Sequence, residues 1–155
     1  MMKRGERGRR SLRLCEWRRA QGGMMTNEEL IRRARAVVSP RKIAHGFTVG
    51  DVGCALLTAG GDLHVGVCID AGGGMGFCAE HSAIASMVTR GEQSIARIVA
   101  VLGDGTVLPP CGRCREFMRQ IDPGNLDRTE VLLGRDKAVK LRDLLPHPWG
   151  EAFRA

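Results

Sequence analysis

The chain has 155 residues, which is enough for one domain with a substantial buried core. Its apolar content of 43% includes no long uninterrupted apolar run, so we expect a soluble globular protein and exclude a membrane-spanning channel or carrier. Aromatic residues make up only 4%, with no tyrosine, so the core must consist mainly of aliphatic side chains and methionine.

Positive charge is concentrated at the N-terminus. The formal net charge is +7, and residues 1–23 contribute most of it through eight basic and two acidic side chains. We expect residues 1–23 to be a basic, disordered extension and residues 24–155 to form the folded domain. The extension also fits a weak nucleic-acid-binding arm, a surface-seeking segment, a transit peptide, or an over-long start before Met24 or Met25.

Apolar periodicity predicts helices and strands along the rest of the chain. A capping box of Thr26 and Glu29 opens the first helix, and Ser39-Pro40 ends it. Two β-rich runs around residues 59–62 predict a hairpin. The predicted elements are a helix over 27–38, strands over 51–58 and 63–69, a helix over 79–90, a strand over 95–102, a helix over 112–121, a strand over 129–133 and a helix over 140–145. This order predicts an α/β fold with one mixed sheet of about five strands between helical layers.

A glycine-rich segment at residues 70–77 precedes the second predicted helix. Its spacing matches neither a dinucleotide-binding fingerprint nor a phosphate-binding loop. It fits a mobile linker and, equally, a loop whose backbone closely approaches a substrate.

Six cysteines are present, and metal binding in a reducing cytoplasm accounts for them better than disulfides in a secreted protein. Cys54 and Cys68 lie within apolar runs and are predicted to be buried as small hydrophobic side chains.

Two short segments carry the chemically active residues. Cys78 and Glu80 open the second predicted helix, and Cys111 and Cys114, after Pro110, open the third. A spacing of three places the last two thiols on one side of that helix. Three thiol ligands suit one Zn²⁺ ion and leave its fourth tetrahedral position open, as in a catalytic zinc site. Glu80 would then be the proton carrier.

The Cys-Ala-Glu segment followed by Pro-Cys-x-x-Cys-Arg resembles the cytidine deaminase superfamily, in its compact all-cysteine branch of cytidine and blasticidin deaminases. The resemblance covers roughly residues 26–150. It implies a three-layer α/β/α fold, a Zn²⁺ cofactor, and hydrolytic deamination of a small cytosine-like nucleoside or base. Glu80 would take a proton from water, pass it to the ring nitrogen and protonate the departing amine. The N–H of Ala79, or a backbone carbonyl, would hold the ring edge.

Two neighbours of the ligands are expected to modify the metal. Arg115 follows Cys114 and would offset the negative charge of three thiolates. The family usually has Arg after the catalytic Glu, whereas this chain has His81. His81 is expected either to pack ordinarily, which is the better expectation, or to lie protonated against a sulfur.

The substrate-binding residues depart from the family pattern. Cys68 and Asp70 stand about where the family has the Asn and Glu that hold a ribose, so a free base, a modified nucleoside or another amino-heterocycle fits as well as cytidine. Phe47 and Asp70 are candidate substrate contacts. In the family, a C-terminal aromatic side chain caps the site of a neighbouring subunit. The resemblance assigns that role to Trp149 and implies a homotetramer. Packing of Trp149 within its own chain is the alternative.

Two rival functions remain at this point. A structural zinc would need a fourth ligand, such as Cys54, Cys68 or His81, and would leave Glu80 without a role. A nucleic-acid-binding protein would depend on the basic extension and would bind in a salt-sensitive manner.

Overall fold

The computed structural model describes residues 25–153, so the basic extension predicted at residues 1–23 lies outside the described residues. The helices span Asn27–Arg35 (α1), Ala79–Thr89 (α2), Gly112–Ile121 (α3), Asn125–Arg128 (α4) and Leu141–Leu144 (α5). The strands span Arg41–Lys42 (β1), Thr48–Thr58 (β2), Leu63–Asp70 (β3), Ile95–Leu102 (β4), Val107–Leu108 (β5), Glu130–Gly134 (β6) and Lys137–Lys140 (β7). Short 3₁₀ turns cover Ala44–Gly46 and Trp149–Phe153.

One mixed sheet forms the centre of the fold. β2 pairs antiparallel with β3 on one side and with β4 on the other, β4 pairs parallel with β6, and β6 pairs antiparallel with β7. The five longer strands therefore follow the order β3-β2-β4-β6-β7. The two-residue strands β1 and β5 add to β2 and β4. The predicted mixed sheet of about five strands is confirmed, with these two short strands in addition.

Helices cover both faces of the sheet because successive side chains of a strand point to opposite faces. On one face, Leu56 of β2 packs with Ile84 of α2 and with buried side chains of α3, α4 and α5. On the other face, Ala55 and Val99 pack with Leu30 of α1. The three-layer arrangement predicted from the sequence is confirmed.

The close packing of α2 on the sheet depends on Gly66 of β3. A Cβ atom at this position would lie 2.4 Å from the backbone nitrogen of Ala83, which is closer than a Cβ atom comes to any non-bonded neighbour in folded proteins. Glycine therefore lets α2 lie directly against β3. This contact determines how far the N-terminus of α2, with its functional side chains, stands from the sheet.

The helix over 27–38 was predicted too long. α1 ends at Arg35, and Val38 reaches the core from the turn that follows. The backbone carbonyl of Gly50 accepts a hydrogen bond from Ser39, which fixes the chain in an extended path before Pro40. No helix among residues 25–153 combines the length and the apolar character that a membrane crossing requires.

Candidate metal centre and active site

Three thiols meet where the N-termini of α2 and α3 approach each other. Cys78 is the N-cap of α2 and Cys111 is the N-cap of α3, each with extended backbone, and Cys114 lies in the first turn of α3. The Sγ atom of Cys111 is 3.6 Å from that of Cys78 and 3.5 Å from that of Cys114. All three sulfurs lie within 4.8 Å of one another.

The spacing of these sulfurs fits one zinc ion. Two sulfurs bound at about 2.3 Å to a tetrahedral ion lie about 3.8 Å apart, close to the observed separations. Cys114 is buried, whereas Cys78 is half-buried and Cys111 is exposed, so an ion can enter from the surface side. Among residues 25–153, this group of adjacent ligand atoms contains the three cysteines and no fourth His, Cys, Asp or Glu. The geometry favours an open fourth position over a structural zinc.

Burial and the helix N-termini act in opposite directions on the pKa values of the thiols. Burial raises the pKa of Cys78 and that of Cys114 above the ordinary thiol range. Burial acts in the same direction at Cys111, but hydrogen bonds from the backbone N–H and the thiol of Cys114 outweigh it and lower the pKa. The N-termini of two helices add partial positive charge that favours thiolate. Three adjacent thiolates still repel each other, and Zn²⁺ replaces their protons when it binds.

Glu80 lies beside this cluster and is 5% exposed. Two residues apart on a regular helix, Cys78 and Glu80 would point to different sides. Because Cys78 is the N-cap and has extended backbone, both side chains line the same cavity. Burial raises the pKa of Glu80 above its usual range. A carboxyl group whose pKa moves toward neutrality is suited to general acid–base catalysis.

A cavity of about 530 Å³ is lined by Cys78, Cys111 and Glu80. This volume is within the range that holds small ligands. The side chains of Asp51, Cys68 and Asp70 form another part of its wall, and their ligand atoms lie within 4.8 Å of one another. Cys68 is buried, accepts a hydrogen bond from the N–H of Val52 at 3.3 Å, and has its sulfur 3.9 Å from the carboxylate of Asp70. We refer to Asp51, Cys68 and Asp70 as the acidic wall.

The glycine-rich segment after β3 also lines the cavity, through Ala71, Gly74 and Gly76. Its two ends are tied together, because Ile69 and Phe77 exchange backbone hydrogen bonds of 2.9 and 3.0 Å. Of the two sequence interpretations, the structure favours a loop beside the substrate position over a plain linker.

The four predicted substrate contacts lie at different distances from the cavity. Ala79 and Asp70 are in its wall. Phe47 is outside the lining residues and packs its ring beside Gly72 of the glycine-rich loop. The side chain of Trp149 is 68% exposed on the last 3₁₀ turn, and its backbone N–H donates to the carboxylate of Glu116. This exposed position is compatible with Trp149 capping the site of a neighbouring subunit and with Trp149 packing within its own chain.

The two expected modifiers of the metal have different surroundings. Arg115 donates hydrogen bonds to the backbone carbonyls of Pro110 at 2.8 Å and Leu144 at 3.0 Å. The guanidinium thus attaches the loop before Cys111 to the end of α5, and its compensation of the thiolate charge stays a prediction. The Nδ1 atom of His81, by contrast, lies 3.4 Å from the sulfur of Cys114.

Sequence reasoning missed three residues of the site. Asp51 and Arg113 line the cavity, and Phe117 stacks on the ring of His81. Arg113 stands between the two cysteines of α3, so its place in the motif was a usable signal; it donates to the carbonyl of Gly76 at 3.3 Å. Asp51 and Phe117 carry no such signal, because their positions depend on strand pairing and helix packing.

Known proteins match this fold and this site. The family model described as "Cytidine and deoxycytidylate deaminase zinc-binding region" matches residues 24–126. The cytidine deaminase of Halalkalibacterium halodurans is 32% identical over 100 residues, which cover 61% of this chain and 74% of that protein. The cytidine deaminase of Mycobacterium tuberculosis strain H37Rv is 31% identical over 101 residues, covering 64% of this chain and 72% of the relative.

Solved structures give the same result. The crystal structure of cytidine deaminase from Mycobacterium tuberculosis superposes with a TM-score of 0.66 at 26% identity, covering 79% of this chain and 96% of the other. Cytidine deaminase from Burkholderia pseudomallei superposes with a TM-score of 0.64 at 28% identity, covering 81% and 100%. With the family model matching well over half of its residues, the chain belongs to the cytidine and deoxycytidylate deaminase family and is a zinc-dependent hydrolytic deaminase.

Proposed function

We propose that this chain hydrolyses the exocyclic amine of a small cytosine-like nucleoside or base, releasing ammonia and leaving a carbonyl. Cys78, Cys111 and Cys114 hold the zinc ion, and Glu80 is the catalytic acid–base. One observation carries the proposal: three thiol sulfurs lie within 4.8 Å of one another, and two of them, those of Cys78 and Cys111, line a cavity together with the buried carboxyl group of Glu80. The same residues in a structural zinc site would leave the carboxyl group without a role.

In this proposal the protein's own groups move every proton. When bound, zinc supplies water with a lowered pKa at neutral pH. Glu80 takes a proton from the attacking water and delivers it to the ring nitrogen beside the amine-bearing carbon. The carboxylate then takes the remaining proton of the added hydroxyl group and gives it to the amine as the C–N bond breaks, so that a carbonyl forms and ammonia leaves. The N–H of Ala79, in the cavity wall, holds the edge of the ring.

The acidic wall bears on which cytosine-like compound is the substrate. Asp51 and Asp70 are acceptors when ionised, and Cys68 is a weak donor and acceptor. A substituent that meets this wall must therefore supply donors, as sugar hydroxyls or a cationic amine do. This supports, as a second candidate, a larger amino-heterocycle of the blasticidin type that carries cationic groups.

Ammonia release from a panel of compounds tests the proposal. The panel comprises cytosine, cytidine, deoxycytidine, methylated cytidines and blasticidin S, assayed with the zinc-loaded protein. We expect turnover of at least one compound, and its substituent identifies what the acidic wall accepts. Failure of every compound with the fully zinc-loaded protein would contradict the proposed function.

Glu80→Gln tests the assigned catalytic role. Glutamine keeps the shape of the side chain but cannot carry the proton, so we expect full zinc content and a loss of about 10²–10⁴-fold in kcat. Glu28→Gln, on the exposed face of α1, is the matched control and should retain activity. Full turnover by Glu80→Gln would remove this residue from the mechanism.

Assembly, location and domain organisation complete the proposal. We place the protein in the cytoplasm as a homotetramer in which Trp149 caps a neighbouring site; the free thiols of the described cysteines and the exposed Trp149 support this. Sedimentation in solution measures the assembly state.

Residues 24–155 are the deaminase domain, and removal of residues 1–23 should leave deamination intact while any salt-sensitive nucleic-acid binding is lost.

A further inference from the structure

A histidine from one zinc-bearing helix contacts a thiol of the other. His81 lies in the first turn of α2, directly after Glu80, and its Nδ1 atom is 3.4 Å from the Sγ atom of Cys114 on α3. Cys114 is fully buried, and His81 is half-buried. The contact between His81 and Cys114 therefore joins the two helices directly at the most buried of the three thiols.

The chemistry of the two groups fixes the direction of this hydrogen bond. A thiolate that binds zinc has no proton to give and can only accept. Nδ1 of His81 must then carry the ring proton and donate it to the sulfur. The bond is an N–H···S hydrogen bond with 3.4 Å between nitrogen and sulfur.

Phe117 holds the imidazole ring in this orientation. The rings of His81 and Phe117 stack with centroids 4.5 Å apart and planes 3° from parallel. Phe117 is on α3, three residues after Cys114, so the same helix face carries the sulfur and the ring that supports its partner. A stacked ring cannot rotate about its side-chain bonds without losing this contact, and Nδ1 stays directed at the sulfur.

We propose that His81 is a positioning residue of the metal centre, which holds the sulfur of Cys114 and withdraws electron density from it. Three thiolates on one Zn²⁺ give a net charge of −1, and this weakens the ion as a Lewis acid. A hydrogen bond donated to one sulfur reduces the electron density that the sulfur gives to the metal, and it also fixes the position of that ligand, as partners of metal ligands do elsewhere. The inference rests on the zinc site of the proposed function, and it assigns His81 no contact with substrate.

Cobalt substitution measures this effect without any substrate. Co²⁺ in a thiolate site has sulfur-to-metal charge-transfer absorption, and the energy of that band falls when a sulfur becomes a stronger donor. We expect His81→Leu to shift the band to longer wavelength and to weaken zinc binding by about ten- to hundredfold in a chelator competition. His81→Asn places an amide N–H near the position of Nδ1 and should restore most of both properties.

Two further variants separate positioning from simple packing. Phe117→Leu removes the stacked ring but keeps the imidazole, and we expect a smaller band shift in the same direction. Val88→Ala, on an exposed position of α2, is the matched control and should leave the band and the zinc affinity unchanged. Wild-type band energy and zinc affinity in both His81→Leu and Phe117→Leu would overturn the proposal.

The outcomes also distinguish this proposal from the proposed function. A protein that binds cobalt through its thiols and shows the His81 shift, yet deaminates no compound of the panel, would refute the function and support the role of His81. A protein that deaminates normally but shows no shift in His81→Leu or in Phe117→Leu would support the function and refute the role of His81.

Discussion

Gly66 on β3 faces the first turns of α2, and Gly66→Ala tests whether this close approach sets the position of the catalytic helix. An added Cβ would lie 2.4 Å from the nitrogen of Ala83, 2.6 Å from Cβ of Ser82 and 2.8 Å from the carbonyl oxygen of Ala79. Two of these atoms belong to the helix backbone, so no side-chain rotation can relieve the contact. Ordinary contact begins at 3.4 Å, and the helix must therefore recede by about 1 Å.

This displacement should reduce both stability and activity. Overpacking of a closely packed interior costs about 1–3 kcal/mol of the free energy of unfolding. In a domain of this size, each kcal/mol lowers Tm by about 2–4 °C. Because α2 begins directly after Cys78 and carries Glu80, a shift of about 1 Å also moves the proposed acid–base relative to the other thiols. A misplacement of this size costs about a hundredfold in rate.

The assay combines thermal unfolding, followed by circular dichroism, with kcat on the compound that the wild type deaminates most rapidly. Gly103→Ala is the matched control, because its Cβ would lie at an ordinary 3.5 Å from Cγ1 of Val38. We expect a lower Tm and a lower kcat for Gly66→Ala and near wild-type values for the control. A wild-type Tm and kcat in Gly66→Ala would refute the argument that β3 fixes the catalytic helix.

Three further substitutions address the metal, the acidic wall and the core. Cys111→Ser removes one of three thiolates, and we expect sub-stoichiometric zinc by metal analysis after dialysis. Asp70→Asn removes a charged acceptor from the cavity wall and should raise KM about ten- to hundredfold with zinc content unchanged. Asn125 is fully buried and makes hydrogen bonds to three backbone groups, so Asn125→Ala should lower the free energy of unfolding in urea by about 1–3 kcal/mol for each group left unpaired.

Each of these predictions has a contradicting result. One tightly held zinc ion in Cys111→Ser would exclude this thiol from the ligand set. An unchanged KM in Asp70→Asn would mean that the acidic wall does not meet the substrate. An unfolding free energy within about 0.5 kcal/mol of wild type in Asn125→Ala would show that water replaces the lost partners, since only surface changes usually have so small an effect.

Local patterns predicted the central elements well. The apolar run over 95–102 and the helix over 112–121 have the same bounds in the structure, and the helix predicted over 79–90 ends one residue earlier, at Thr89. These elements have strong periodicity and clear ends, such as Gly91. The strands β1, β5 and β7 and the helix α4 were not predicted, because runs of two to four residues carry little period and their placement depends on neighbours distant in sequence.

The acidic wall shows why part of the site was beyond sequence reasoning. Between the pairs Val49–Ile69 and Gly53–Val67, β2 advances four residues while β3 advances two. Asp51 lies in this bulge, and the irregular register brings it beside Asp70 in the cavity wall. The motif spacing predicted the meeting of the thiols, but no spacing within one strand reveals the register against its neighbour.

The backbone hydrogen bonds between Ile69 and Phe77 separate the glycine-rich loop, which lines one part of the cavity, from Cys78, which begins the cluster of thiols. Residues 71–76 lie between Ile69 and Phe77, whereas Cys78 follows directly after Phe77. Changes in the length or composition of residues 71–75 therefore leave the Ile69–Phe77 hydrogen bonds, and with them the position of Cys78, in place. Substrate choice can diverge within this short stretch, in nature or in the laboratory, while the geometry of bond cleavage is inherited intact.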